Sequence, residues 1–407
     1  MKGMKRTIFR GMLYCLAAIV SGSCVYDFTP SSSDLQGMDK PLVVIEGDII
    51  VGGITRIELK STSGVLEGSQ QEMISYSGSN VWVESEDGSI WQGGAHIGYG
   101  NYGGNEYEVD TRDLPLTGKY RLCVSVPGRG EYRSAFKAVS VTPQIDGVTY
   151  TVAPDRSVVE FEVTTHNTEK EPLYCRWSYK ENWESNSHFS ADLVAVKVDD
   201  DIAMREITEA EKLGMTRCFS SGQSTGIFIA NSEKLSENII SRERLHTVAA
   251  TDMRISSLYC LTVTQTAMDK EAYKYWEGIK ASVSGTGGLF APMPNEVRGN
   301  IVCDTYPDEQ VLGYVNVSTA VEGRYFFEAS DFKIFKRDCT DQVYMKESEE
   351  GEKIWLGLYL SGLKPIRYEY DERGNAIKDQ VYWSTGACVD CRTFSNSSRP
   401  DFWPQGR

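Results

Sequence analysis

The sequence lacks the features that mark several common classes of protein. Beyond residue 24, no segment approaches eighteen uninterrupted apolar residues, which excludes a later transmembrane helix. The 42 lysines and arginines are outnumbered by 57 aspartates and glutamates, and this balance disfavours nucleic-acid binding, which needs a concentrated basic surface. The chain has only four histidines, which lie far apart without the spacing of zinc ligands. We therefore predict no metal site and no cofactor.

Catalytic signatures in their proper context are also missing. Neither a H-E-x-x-H segment nor a G-x-x-x-x-G-K-[ST] segment occurs. The segment Gly222-Gln-Ser-Thr-Gly226 matches G-x-S-x-G by letter, but a strand-like segment follows it, whereas a nucleophile elbow joins a strand to a helix. The segment Gly98-Tyr-Gly-Asn-Tyr-Gly103 likewise matches a phosphate-binding pattern but has no βαβ unit around it. We predict no catalytic residue and no enzyme.

The N-terminus, by contrast, has a recognisable order of charged, apolar and small residues. Four cations and no acid occupy residues 1–10, a short apolar run covers residues 12–20, and Ser21-Gly22-Ser23 precedes Cys24. This order is typical of an export signal, and the small residues before a cysteine resemble a bacterial lipobox. We predict a signal peptide over residues 1–23, lipid attachment at Cys24 and a flexible tether over residues 24–40. An ordinary cleaved signal peptide that happens to precede a cysteine is the alternative.

Eight cysteines remain after Cys15 and Cys24, and an even number in an exported chain permits disulfides. Cys388-Val-Asp-Cys391 lies near the C-terminus among residues that favour turns, which disfavours a thioredoxin-like redox site. We predict structural disulfides there, with Cys339 linked to Cys388 or Cys391. Cys123 and Cys260 lie in alternating apolar strands, where a free buried thiol is equally compatible with the pattern.

Short β-branched and aromatic runs separated by Gly, Asp and Pro dominate residues 41–142. About seven strands in roughly 100 residues predict an N-terminal β-sandwich of immunoglobulin-like or prealbumin-like type. Residues 143–407 predict a larger β-rich domain. Its one strong helical pattern covers residues 268–281, where Ala272, Tyr275, Trp276 and Ile279 share a face. A second, shorter helix is predicted over residues 201–213.

Ten segments in fixed order carry a resemblance to a known family. They are Cys24 with its small neighbours, Leu42-Val-Val-Ile-Glu-Gly47, Pro143-Gln-Ile-Asp-Gly-Val148, Tyr174-Cys-Arg-Trp-Ser-Tyr-Lys-Glu-Asn-Trp183, Phe228-Ile-Ala-Asn-Ser-Glu-Lys-Leu-Ser-Glu-Asn-Ile-Ile240, Glu271-Ala-Tyr-Lys-Tyr-Trp276, Pro294-Asn-Glu-Val-Arg-Gly-Asn300, Val311-Leu-Gly-Tyr314, Cys388-Val-Asp-Cys391 and Pro400-Asp-Phe-Trp403. Together they resemble the Bacteroidota outer-membrane lipoproteins classed as domain of unknown function 4249.

The resemblance implies a location and a partner. Members are typically encoded beside TonB-dependent receptors, so it implies an outer-membrane lipoprotein, facing the cell surface, that assists nutrient uptake with such a receptor. An independent surface binding or adhesion protein is the alternative, and a hydrolase is a distant third. Glycans and peptides are the expected ligands. Tyr99 and Tyr102 are candidate ligand contacts, because aromatic rings offer large contact areas with few rotamers to freeze.

Overall fold

A computed structural model describes residues 41–62, 76–96, 105–168, 170–283, 298–335 and 337–405 of the chain. Strands dominate these residues, and most of the helices are short. The prediction of a mainly β fold is therefore confirmed. Residues 44–60 and 76–405 form one compact unit, while residues 41–43 and 61–62 belong to another. In the described residues, no helix is both long and apolar enough to span a membrane.

The strands fall into three stretches of the chain. The first stretch contains β1 (Val43–Glu46), β2 (Ile49–Ile50), β3 (Ile54–Ser61), β4 (Asn80–Ser85), β5 (Ile90–Ala95), β6 (Glu106–Asp110), β7 (Lys119–Val126), β8 (Gly130–Ser134) and β9 (Lys137–Ala138). The second contains β10 (Ile145–Val152), β11 (Val158–His166), β12 (Tyr174–Asn186), β13 (Leu193–Val198), β14 (Asp201–Glu206), β15 (Arg217–Gln223), β16 (Phe228–Asn231), β17 (Ile239–Ala249) and β18 (Leu258–Ala267). The third contains β19 (Ile301–Cys303), β20 (Val311–Leu312), β21 (Val317–Ser318), β22 (Ala320–Glu328), β23 (Gln342–Met345), β24 (Leu363–Tyr370) and β25 (Ala376–Thr385).

Five α-helices occur in the described residues, and one of them exceeds eight residues. They are α1 (Glu209–Thr216), α2 (Lys270–Val283), α3 (Ala329–Phe332), α4 (Ile354–Leu360) and α5 (Gly386–Val389). Helix α2 confirms the predicted amphipathic helix, displaced by two residues, because Asp269 caps it by accepting a hydrogen bond from the Ala272 backbone N–H at 2.8 Å. Ala272 is fully buried, whereas Tyr275, Trp276 and Ile279 remain partly exposed.

The first sheet has ten strands in the order β19-β8-β7-β4-β5-β6-β3-β1-β20, with β9 paired to β7. Alternate residues such as Val81 and Val83 on β4 and Leu122 and Val124 on β7 point into its core, as the two-residue period of a strand dictates. The terminal strands β19 and β20 contact each other. The sheet is therefore nearly closed, in the manner of a barrel.

Close backbone approach makes this closure possible. A Cβ atom on Gly299 would lie 1.7 Å from the carbonyl oxygen of Gly313, so only glycine fits there. Beside this contact, the Asn300 side-chain amide exchanges two hydrogen bonds of 2.8 Å with the Val315 backbone. Strands from beyond residue 300 thus complete a sheet begun near residue 43. The domain boundary between residues 142 and 143 stays a prediction.

Two further sheets enclose the second core. One has the order β10-β11-β17, and the other has the order β15-β12-β18-β22 with β16 also paired to β12. Strand β18 lies in the middle and is almost wholly buried. Phe161, Trp177, Leu261 and Phe327 contribute to the apolar cluster of this core. Tyr179 of β12 contacts His246 of β17, so side chains of these two strands meet where the two sheets adjoin.

The C-terminal residues form a smaller third part. The sheet β23-β25-β24 and the hairpin β13-β14 pack around Trp355, Trp383 and Val381. Contrary to the helix predicted over residues 201–213, residues 201–206 form strand β14, and helix α1 begins at Glu209. The reason is local, because Thr208 and Glu211 form a reciprocal capping box that fixes the start of the helix.

Candidate functional site

Several residues singled out from the sequence lie outside the described residues. These are Cys24, Tyr99 and Tyr102, together with the predicted signal peptide and the tether over residues 24–40. Lipid attachment and the tyrosine contacts therefore stay predictions. In the described residues, no group of three or more His, Cys, Asp or Glu side chains is arranged to hold a metal ion.

The cysteines of the CxxC segment form two disulfides with distant partners. Cys339 pairs with Cys388, and Cys218 pairs with Cys391. The second pairing was not predicted, because Cys218 is 173 residues away in sequence and nothing in the pattern links the two positions. Four other cysteines are free and buried: Cys123, Cys175, Cys260 and Cys303. Burial raises the pKa of the Cys260 thiol to about 11, so it stays protonated.

Asp390 lies between the two cysteines of that segment and is almost fully buried. Arg392 donates two hydrogen bonds of 2.8 Å to its carboxylate, and the Lys364 ammonium lies 3.0 Å away. Burial alone would raise the pKa of Asp390, but the hydrogen bonds from Arg392 and Lys364 outweigh it and lower the pKa. This carboxylate is satisfied by permanent cations, which suits a structural role.

An open groove of about 870 Å³ runs along strand β17. Residues of five elements and of the turn before β16 line it: Glu160 and Glu162 from β11, Tyr179 from β12, Ile227 before β16 and Phe228 at its start, residues 242–247 from β17, and Lys280 from α2. Three other cavities in the described part of the chain are smaller, with volumes of about 180 to 330 Å³. We take the groove as the candidate binding site, because ligands favour concave surfaces with a few fixed polar groups.

Charges of both signs line the groove. Arg242 pairs with Glu162 and Arg244 with Glu160, each at 2.8 Å across β11 and β17. Burial raises the pKa of Glu243, while the nearby charges of Lys280 and Arg244 act against that rise. The groove thus presents three carboxylates and three basic side chains to a ligand.

Tyr179 and His246 form the more buried side of the groove. The Tyr179 hydroxyl lies 2.8 Å from His246 Nδ1, and their rings are 4.9 Å apart. Phe228 packs against Tyr179 at 5.5 Å, and Phe161 stacks on the histidine from the core. Burial raises the pKa of Tyr179 to about 12, so its hydroxyl remains protonated at neutral pH. It suits hydrogen bonding better than nucleophilic attack.

A buried charged network supports His246 from behind. Its Nε2 atom lies 3.2 Å from Glu181 Oε2, and Tyr259 donates to that same oxygen at 2.8 Å. Arg254 donates to both oxygens of Glu181 and, at 2.7 Å, to Asp252. Burial opposes ionisation of Glu181, but the hydrogen bond with His246 and the charge of Arg254 prevail and lower its pKa. The network therefore fixes the orientation of the groove's histidine.

The G-x-S-x-G segment covers the last two residues of β15 and the start of the turn that leads to β16, and no helix follows it. Ser224 exchanges hydrogen bonds with the Tyr179 backbone: its side-chain oxygen accepts at 3.0 Å, and its N–H donates at 2.9 Å. A Cβ atom on Gly222 would lie 2.8 Å from Glu181 Oε1. The glycine therefore makes room for the buried carboxylate, and the segment contributes to packing around the network.

Comparison with known families assigns the chain to one of them. A family model described as a domain of unknown function, DUF4249, matches residues 25–324. The chain belongs to this DUF4249 family. The match includes the whole groove and the network behind it, and it ends before the region of β23 to β25. No curated protein matches the chain.

Sequence reasoning missed every residue of the network and its groove, although one signal was available. Trp177, Tyr179, Glu181 and Trp183 alternate along β12, so Glu181 occupies a position in phase with three aromatic residues. A carboxylate in phase with a buried face needs a buried partner, which this strand alone cannot identify. Its partners His246 and Arg254 lie more than sixty residues further along the chain.

Proposed function

We propose that this DUF4249 chain is a lipid-anchored, outer-membrane ligand-capture subunit that works with a TonB-dependent transporter in nutrient uptake. The groove along β17 is the observation that carries the capture role. Its polar side chains are held by cross-strand ion pairs and by a buried network, which is the preorganisation that a binding site needs. The export-signal pattern before Cys24 supports the lipid anchor. The resemblance to lipoproteins encoded beside TonB-dependent receptors supports the transporter as partner.

Binding accounts for the groove better than catalysis does. The Tyr179 hydroxyl stays protonated, and the ionised carboxylate of Glu181 already receives donors from Arg254 and Tyr259. A general acid or base must exchange protons with the substrate in each catalytic cycle, whereas Tyr179 and Glu181 are each held in one ionisation state. A fixed hydrogen-bonding surface suits recognition and release of an intact ligand.

Purification of the native complex tests the proposal. The full-length chain, tagged at its C-terminus and expressed in its own cells, would be solubilised from outer membranes in mild detergent, and the co-purifying proteins identified by mass spectrometry. We expect an acylated Cys24 and a receptor barrel in the eluate. The Cys24→Ala variant should leave the membrane fraction. Recovery of the lipidated protein from outer membranes without any receptor barrel would contradict the transport role and favour an independent adhesion protein.

A further inference from the structure

The groove follows an unpaired strand edge. Among the described strands, β17 pairs only with β11, so its other edge presents backbone N–H and C=O groups without a strand partner. An extended peptide can add to such an edge as a new strand, using main-chain hydrogen bonds for affinity. The side chains of residues 242–247 that line the groove belong to this edge strand.

The edge is shaped to accept a short segment only. Pairing between β11 and β17 is regular from Val158 to Phe161, but the register shifts after Phe161 and again after Val163. Arg242 adopts a left-handed backbone conformation with φ of 55°. Such irregularities and charges discourage long strands from adding to an edge, which protects the protein from aggregation. On β17 the regular stretch covers only His246 to Ala249, which overlaps one end of the groove, so the edge can pair there with a ligand of a few residues.

The charges select among ligand classes. A neutral glycan offers hydroxyl groups but no charged partner for the three carboxylates and three basic side chains of the groove, and a nucleic acid offers only one sign of charge. A peptide that carries a lysine and a glutamate can pair with both signs. Its apolar side chains would meet Tyr179 and Phe228, whose rings lie 5.5 Å apart on the buried side.

We propose that the groove binds a short extended peptide with side chains of both charges, added along the edge of β17. This assignment rests on the proposed capture function and deepens it, because it selects peptide over glycan as the ligand class. The peptide backbone would pair with the strand edge, while Glu160, Arg244 and Lys280 would form ion pairs with the charged side chains of the peptide.

Direct titration tests the assignment with defined probes. Fluorescently labelled Val-Lys-Val-Glu-Val, blocked at both ends, would be titrated into the full mature chain, alongside the same peptide with glutamine at both charged positions and alongside maltoheptaose. We expect the charged peptide to bind at least about tenfold more tightly than the glutamine version, with affinity falling as salt rises. Maltoheptaose should not compete.

Two double variants distinguish recognition of the peptide's charges from a general effect on protein stability. Glu160→Gln with Arg244→Gln removes one groove ion pair at constant net charge and should weaken binding about tenfold. Glu86→Gln with Lys119→Gln removes a matched exposed pair, 3.0 Å apart on the first sheet, and should leave binding unchanged. Equal binding by the two variants, or equal binding of the charged and glutamine peptides, would overturn the assignment.

The two proposals can fail separately. Binding of maltoheptaose that the groove variant abolishes, with no peptide binding, would overturn the peptide class and leave ligand capture in place. Peptide binding by a protein that never co-purifies with a receptor barrel would uphold the peptide class and remove the transporter from the proposed function.

Discussion

Two buried carboxylates in this protein have similar partners and different surroundings. Glu181 is held by Arg254 and His246, and Asp390 is held by Arg392 and Lys364. In both, favourable contacts overcome burial and lower the pKa of the acid. Asp390, however, lies between two disulfide-bonded cysteines, whereas Glu181 supports a histidine that lines an open groove.

The difference shows how one arrangement serves two purposes. The partners of Asp390 are permanent cations, and the disulfides on either side fix its loop, so the network stabilises a small region with a limited core. Beyond Glu181, His246 contacts the Tyr179 hydroxyl, which reaches the groove. The ion pairs of the two networks are therefore alike. The Glu181 network supports a binding surface because its partner His246 contacts a groove residue, whereas the Asp390 network is structural.

The largest expected effect comes from the disulfides. Cys339→Ala with Cys388→Ala should lower the free energy of unfolding of the C-terminal region by about 2–5 kcal/mol, because the unfolded chain gains freedom. Peptide binding in the groove should persist at temperatures where this variant remains folded. Chemical denaturation followed by hydrogen exchange measures both regions. Unchanged stability, or loss of binding in the folded variant, would remove the distinction between the two networks.

A smaller effect should follow from neutralising each acid. Glu181→Gln leaves the partly buried Arg254 with Asp252 as its remaining counter-charge and should cost about 2 kcal/mol of stability. Asp390→Asn should cost about 1 kcal/mol, because the Arg392 side chain is 56% exposed and water can solvate it, while that of Arg254 is 23% exposed. Urea denaturation of the two variants gives the comparison. A larger loss for Asp390→Asn would reverse the ranking proposed for the two networks.

The smallest effect is expected from pH. Glu181, Asp390 and Asp252 all have lowered pKa values in the folded protein, so their contribution is complete above the ordinary carboxyl range near pH 4. It is lost as the pH falls through the lowered values. Glu243, whose pKa burial raises, acts in the opposite direction.

Comparison of variants isolates the contribution of Glu181 to this pH dependence. Melting temperatures between pH 5 and pH 2.5 should fall less steeply for Glu181→Gln than for the wild-type chain. The variant lacks the acid whose protonation removes stability, so parallel curves would contradict the assigned pKa shift.

Local patterns in the sequence predicted much of the fold. Strand β7 contains Cys123, as the alternating apolar pattern around that residue predicted, and helix α2 follows its predicted apolar spacing. Closure of the first sheet was not predictable, because it depends on the approach of Gly299 to Gly313 and of Gly313 to Ile45, which meet only after the chain returns. Helix α1 shows an intermediate case, since the Thr208 and Glu211 capping signal was readable but was not used to place its start.

The candidate site was beyond local reasoning for the same physical reason. Glu181, His246, Arg254 and Tyr259 come together because four segments meet at the junction of two sheets. The sequence contains one indication of the site, which is a carboxylate in phase with aromatic residues on β12. It could not supply the partners, since strand pairing over long separations decides which side chains meet.

Hydrogen exchange of the protein, with and without saturating charged peptide, tests the central claim most directly. We predict that the peptide slows exchange along residues 242–247 and at residues 227–228, which line the groove, and leaves residues 386–393 around Asp390 unchanged. Protection confined to the disulfide-bonded region or to the first sheet, or no protection at saturation, would contradict the assignment of the groove as the binding site.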